Sequence, residues 1–137
     1  MMASTNVSTG ITLEYEVHGE GDPLLLVMGL GGQLVAWPAS FIAGRVDRGF
    51  KVITFDNRDI GLSTKIDAAP PTKLQSAMVS ISRRFAKSAY LLSDMAKDAV
   101  GLLDALSIER AHVVGMSMGG MIAQTMAIEH PSRVRSL

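Results

Sequence analysis

The chain has 137 residues, 47% hydrophobic and 19% charged, with 13 basic side chains against 13 acidic ones. That length and apolar content support one domain with a real core and exclude a disordered chain. A formal net charge of zero argues against nucleic acid or an anionic membrane as partner, and the lack of cysteine removes disulfides, thiolate metal sites and a cysteine nucleophile.

The opening residues, Met1-Met2-Ala3-Ser4-Thr5-Asn6, have no positive region leading into an apolar run, so no signal peptide is expected. The longest apolar run, Pro23 to Leu30, is too short to span a bilayer. The expectation is a soluble, cytoplasmic protein. Val7 to Gly10 reads as the end of a short strand and a turn, and Ile11 to Val17 alternates apolar and polar residues as a half-buried strand does. Together they predict an antiparallel hairpin turning at Thr9-Gly10. Gly19 to Pro23 is loop chemistry. Leu24-Leu25-Leu26-Val27-Met28 is continuously apolar, the pattern of a strand covered on both faces. It enters a glycine-rich loop, Gly29-Leu30-Gly31-Gly32, and Trp37-Pro38 opens a predicted helix over 38–48.

Phe50 to Phe55 is the next strand, and Asp56 to Gly61 is a turn beyond it. After the Pro70-Pro71 breaker, Leu74, Met78, Ile81 and Phe85 recur at three- and four-residue spacing. That spacing predicts an amphipathic helix within 72–87, with Arg83, Arg84 and Lys87 on its solvated side. Tyr90 to Leu106 carries one apolar stripe and predicts another helix, with Ser93 and Asp94 favouring its N-terminus. Ala111 to Val114 is a short buried strand, a helix runs from about Met121 to Glu129, and Val134 begins a further strand. Parallel strands alternating with helices after an initial hairpin define an α/β fold with a mostly parallel sheet and flanking helices.

The most informative stretch is Gly115-Met116-Ser117-Met118-Gly119-Gly120. G-x-S-x-G between a strand and a helix is the context of a nucleophile elbow. A residue at so sharp a turn is forced toward positive φ, and its neighbours two positions away must be small because they meet. Ser117 is therefore the candidate nucleophile. Its oxyanion donors are the backbone N–H of Met118 and an N–H from the loop after the strand at 24–28. Leu30 is the choice there, since the surrounding glycines let backbone come close.

A serine also needs a general base and an acid to orient it. After Ser117 come only Glu129 and His130, about 15 Å away at the far end of the following helix. His112 lies at the wrong end of its strand, and His18 ends an early one, so neither is assigned a catalytic role. The sheet would also be left with an unpaired edge past Leu137. The chain is therefore expected to be the N-terminal part of one domain, residues 1–137, completed by further chain or by a second polypeptide. A nucleotide-binding reading of Gly29 to Leu34 with Asp56 fails because a dinucleotide fingerprint wants Gly or Ala where Leu34 stands. A non-catalytic protein, or a fragment inactive alone, is the other alternative.

Met28-Gly29-Leu30-Gly31-Gly32, Phe55-Asp56-Asn57-Arg58-Asp59-Ile60-Gly61-Leu62-Ser63 and the Ser117 motif carry a likeness. The chain resembles the N-terminal portion of the α/β-hydrolase superfamily, most nearly the branch of aclacinomycin methylesterase and related carboxylesterases. Many relatives have His-Gly where this chain has Met28-Gly29, which makes that side of the pocket more apolar. The resemblance implies a serine carboxylesterase working through an acyl-enzyme on Ser117, with Leu30 and Met118 as oxyanion donors. It implies a small-molecule ester substrate, no cofactor and no metal. It gives the Asp56–Ser63 segment no catalytic role, and it places the acid, the histidine and a cap beyond residue 137. Serine at the elbow argues against the dehalogenase and epoxide-hydrolase branches, whose nucleophile is a carboxylate.

Overall fold

Leu24, Leu26 and Met28 side chains face one way and Leu25 and Val27 the other, and all five are buried. The strand that carries most of them, β3 (Asp22–Val27), is the pivot of the sheet. The structure, a computed structural model, describes residues 2–66 and 88–137. The helix expected within 72–87 lies outside the described residues.

The hairpin is formed by β1 (Met2–Asn6) and β2 (Thr12–His18), antiparallel, with Val7 buried in the turn between them. Pro23 sits in β3, opposite Lys51, where a loop was expected. A proline is tolerated there because it stands at the start of the strand. Helix α1 (Ala39–Val46) is shorter than predicted, since Pro38 occupies its N-cap position. Strand β4 (Phe50–Phe55) has the predicted bounds. Helix α2 (Leu92–Ala105) starts two residues later than expected because the Asp94 carboxylate accepts the Leu91 N–H at 2.8 Å and fixes the first turn there.

Strand β5 (Ala111–Gly115), helix α3 (Met118–Glu129) and strand β6 (Val134–Ser136) complete the described elements. The sheet runs β1-β2-β4-β3-β5-β6, and β4, β3, β5 and β6 are mutually parallel. On one face α1 covers Leu24, Leu26, Val52 and Trp37 through Phe41, Ile42 and Val46. On the other, α2 and α3 bury Leu25, Val27, Ile53 and Phe55 under Met95, Leu102, Leu103, Ile122 and Met126. Continuous apolar strands are what a sheet covered on both faces requires.

The order of the strands decides where a ligand would lie. From β3 the chain passes to β4 on one side, and later crosses back to β5 on the other. The loops leaving β3 and β5 therefore emerge side by side at the carboxyl end of the sheet, the edge where ligands bind in open α/β sheets. Gly29 to Gly32 and Met116 to Met118 belong to those two loops.

Candidate active site

Ser117 is the N-cap of α3 and has φ 55° and ψ −122°, a conformation that L-residues adopt at a cost of about 1–3 kcal/mol. The neighbourhood explains what holds it there. The Met116 N–H donates to the Val27 carbonyl at 3.0 Å, which ties the elbow to the end of β3. A Cβ on Gly115 would come within 2.5 Å of both the carbonyl carbon of Gly119 and the amide nitrogen of Gly120. One on Gly119 would stand 2.7 Å from the carbonyl carbon of Val27 and 2.8 Å from the Met28 oxygen. The two outer glycines of the motif thus let a strand end, a helix start and a neighbouring strand pass at contact distance. The predicted start of α3 near Met121 is corrected to Met118, since those contacts keep Gly119 and Gly120 inside the helix.

Ser117 is exposed. Gly29 approaches it from β3: a Cβ there would be 3.1 Å from Ser117 Cβ and 3.6 Å from its Oγ. Gly119 and Gly120 N–H groups donate to the Met116 and Ser117 carbonyls at 2.9 Å. The Leu30 and Met118 N–H groups have no acceptor among the described residues. Leu30 is 82% exposed, so its side chain packs little against the described residues, and it is Gly29 that lies against Ser117.

The three histidines lie elsewhere. His112 is the second residue of β5, about 16 Å from the elbow at strand rise. Its Nδ1 meets Ser136 Oγ at 2.7 Å. His18 pairs with Val52 at the beginning of β4, so it too is at the opposite edge of the sheet. His130 caps the C-terminal end of α3, a helix of 12 residues and therefore about 18 Å long. No histidine of this chain can serve Ser117 as a base.

Two features escaped the sequence. Asp56 and Asn57, where β4 ends, are buried and reach into the loop after β3. Asp56 Oδ1 accepts the Leu34 N–H at 2.7 Å and Oδ2 the Leu62 N–H at 3.2 Å, while Asn57 Nδ2 donates to the Met28 carbonyl at 3.0 Å. Both Asp56 oxygens are thus engaged with backbone, and the side chain is turned into the interior. The signal available was a pair of polar residues directly after a fully buried strand, which must find partners.

The second is the buried ion pair of Arg58 with Asp98 on α2, Nε to Oδ2 at 2.6 Å and Nη2 to Oδ1 at 2.8 Å. The hydrogen bond to Asp98 holds the Arg58 pKa above its ordinary value, against the opposing effect of burial. Thr9 of the hairpin donates to the same carboxylate at 2.5 Å, and Tyr90 lies under the guanidinium, 5.0 Å from its ring centre. Burial, then a hydrogen bond to Asp59, push the Tyr90 phenol up to about 12.

A strained serine stands at a strand–helix turn, at the carboxyl end of a mixed, mostly parallel sheet. The family model of the alpha/beta hydrolase fold matches residues 22–137. RutD of Variovorax paradoxus, a protein named as a carbamate hydrolase, is 35% identical over 127 residues, covering 91% of this chain and 40% of that protein. The rhodomycin D methylesterase DnrP of Streptomyces peucetius is 35% identical over 124 residues, covering 88% of this chain and 36% of its own. The crystal structure of a hydrolase from Pseudomonas aeruginosa superposes with a TM-score of 0.75 at 28% identity, over 98% of this chain and 44% of that one. The chain spans about two fifths of the length of these relatives. With elbow and strand order agreeing with a family match from β3 onward, this chain belongs to the α/β-hydrolase fold family.

Proposed function

We propose that the protein is a serine hydrolase acting on carboxylic esters, with Ser117 as the nucleophile. The observation that carries this reading is the strained Ser117 backbone, φ 55°, with the glycine backbone at residue 29 set against its side chain. Strain of this kind persists only where the surroundings over-determine it, and it gathers at functional sites. In this reading Ser117 Oγ attacks the ester carbonyl and its proton passes to a base. The carbonyl oxygen, now negative, is received by the Leu30 and Met118 N–H groups, with the positive end of the α3 dipole behind them. Collapse expels the alcohol, which takes the proton, and water later releases the acid from the acyl-enzyme.

The base and its acid come, in this proposal, from polypeptide outside these 137 residues. That accords with the positions of the three histidines and with a chain two fifths as long as its relatives. A cytoplasmic location is part of the same proposal; among the described residues no helix is long and apolar enough to cross a membrane. The names of the two relatives favour esters and, as a second class, carbamates, whose carbonyl would be attacked in the same way.

A fluorophosphonate probe tests the reading. In the presence of the completing polypeptide it labels Ser117, the Ser117→Ala variant stays unlabelled, and the 137-residue chain alone reacts at no more than background. Labelling that persists in Ser117→Ala refutes the assignment.

A further inference from the structure

We infer that Asn57 is a positioning residue for the oxyanion site: its carboxamide anchors the peptide plane from which the turn bearing the Leu30 N–H departs. This rests on the proposed function above.

The argument runs through two successive peptide planes. Asn57, 2% exposed, donates from Nδ2 to the Met28 carbonyl at 3.0 Å, so the peptide between Met28 and Gly29 is fixed. The same carbonyl is flanked by Gly119, where a Cβ would be 2.8 Å from the Met28 oxygen. The Gly29 carbonyl accepts the Gly32 N–H at 3.2 Å, which fixes the next peptide, Gly29 to Leu30. In a planar trans peptide the N–H points opposite to the C=O. With the Gly29 oxygen turned back into its own loop, the Leu30 N–H is turned outward.

Asp56 secures the far end of the loop by accepting the Leu34 N–H at 2.7 Å. Two consecutive residues at the end of β4 therefore hold a glycine-rich segment at both ends. Gly29, Gly31 and Gly32 give that segment little stiffness of its own. An amide that swings is a poor oxyanion donor, because the benefit depends on donors oriented before charge develops. The bond from Asn57 fixes the entry to that segment, and the Gly32-to-Gly29 bond carries the orientation on to the Leu30 N–H.

The test uses the full-length protein, with Asn57→Leu, which removes the donor at similar volume, and Asn57→Asp, which keeps the shape and places an acceptor against an acceptor. Expected is a fall in kcat of about 10–100-fold with KM within about threefold, because the interaction matters when the oxyanion forms. Affinity for a trifluoromethyl ketone, which forms a tetrahedral adduct on the serine, falls by the same factor. Ile53→Val, a core truncation beneath α2, lowers the melting temperature and leaves kcat unchanged. If Asn57→Leu fails to fold, Asn57→Asp carries the test. Variants that fold and keep wild-type kcat and ketone affinity overturn the positioning role alone. A wild-type protein in which the fluorophosphonate leaves Ser117 unmodified overturns this role together with the nucleophile assignment.

Discussion

Gly119 and Gly120 are adjacent, both helical and both in α3, yet the structure gives them opposite tolerances. A methyl on Gly119 would stand 2.7 Å from the Val27 carbonyl carbon and 2.8 Å from the Met28 oxygen, with the Val27 oxygen nearer still. Carbon and oxygen prefer about 3.5 Å, so backbone must yield by about 0.7 Å or more. The groups that must yield are the end of β3 and the start of α3, neither of which is a flexible side chain. A methyl on Gly120 would meet only the Gly115 oxygen and carbonyl carbon, at 3.4 and 3.9 Å. Gly119→Ala is therefore expected to cost about 1–3 kcal/mol by overpacking. Pushing the end of β3 away from the elbow also disturbs the alignment of Ser117 with the loop after β3, and a misplacement of about 1 Å costs about 100-fold in rate. Gly120→Ala gains about 0.5–1 kcal/mol of helix propensity and keeps the rate. Urea titration and the second-order rate of fluorophosphonate labelling report the two quantities. Equal stability and equal labelling for the two variants would refute the crowded-elbow argument.

Asp98→Asn leaves the Arg58 guanidinium buried against a neutral partner, and urea denaturation should show a loss of about 3–5 kcal/mol. Ser117→Gly relieves a positive φ and should raise stability by about 1 kcal/mol by the same titration, while abolishing labelling. The Tyr90 phenol, pushed up to about 12 by burial and then by Asp59, stays protonated in the folded state while its unfolded counterpart ionises near 10. The unfolded state then binds fewer protons, so stability falls as pH rises from about 10 to 12. Tyr90→Phe should flatten that fall in denaturation midpoints measured across the range.

The α/β framework was readable because its strands carry their own signature. Leu24 to Val27 is apolar without interruption, and Phe50 to Phe55 and Ala111 to Val114 are broken only by Lys51, Thr54 and His112, a pattern that suits a doubly covered sheet. The elbow was readable because its constraint is local: glycines two before and two after one serine. Element ends were less so. Pro23 looked like a loop residue and joins a strand, and Gly119-Gly120 looked like a delay in a helix that begins at Met118. What set those ends was contact with β4 in one case and β3 in the other, distant in sequence. The Arg58–Asp98 pair spans 40 positions and left no local trace. Asp56 and Asn57 read as turn residues because their partners are backbone groups of Met28, Leu34 and Leu62, which no side-chain pattern advertises.

The position of the histidines turns on strand direction. His18 and His112 stand where parallel strands begin or antiparallel ones end, and Ser117 stands where a parallel strand finishes. A base cannot reach Ser117 from the first edge without crossing the thickness of the sheet along a strand, about 16 Å. Loops that follow parallel strands, by contrast, all emerge at the edge of Ser117. Strand β6 is parallel to β5, with Ala111 opposite Val134 and His112 opposite Ser136. In the proposed reading, polypeptide that extends the sheet in parallel beyond β6 would bring the loops after its strands to the edge where Ser117 stands. Within the described sheet, strand polarity thus decides which side chains can approach Ser117, and it sets His18 and His112 at the other edge.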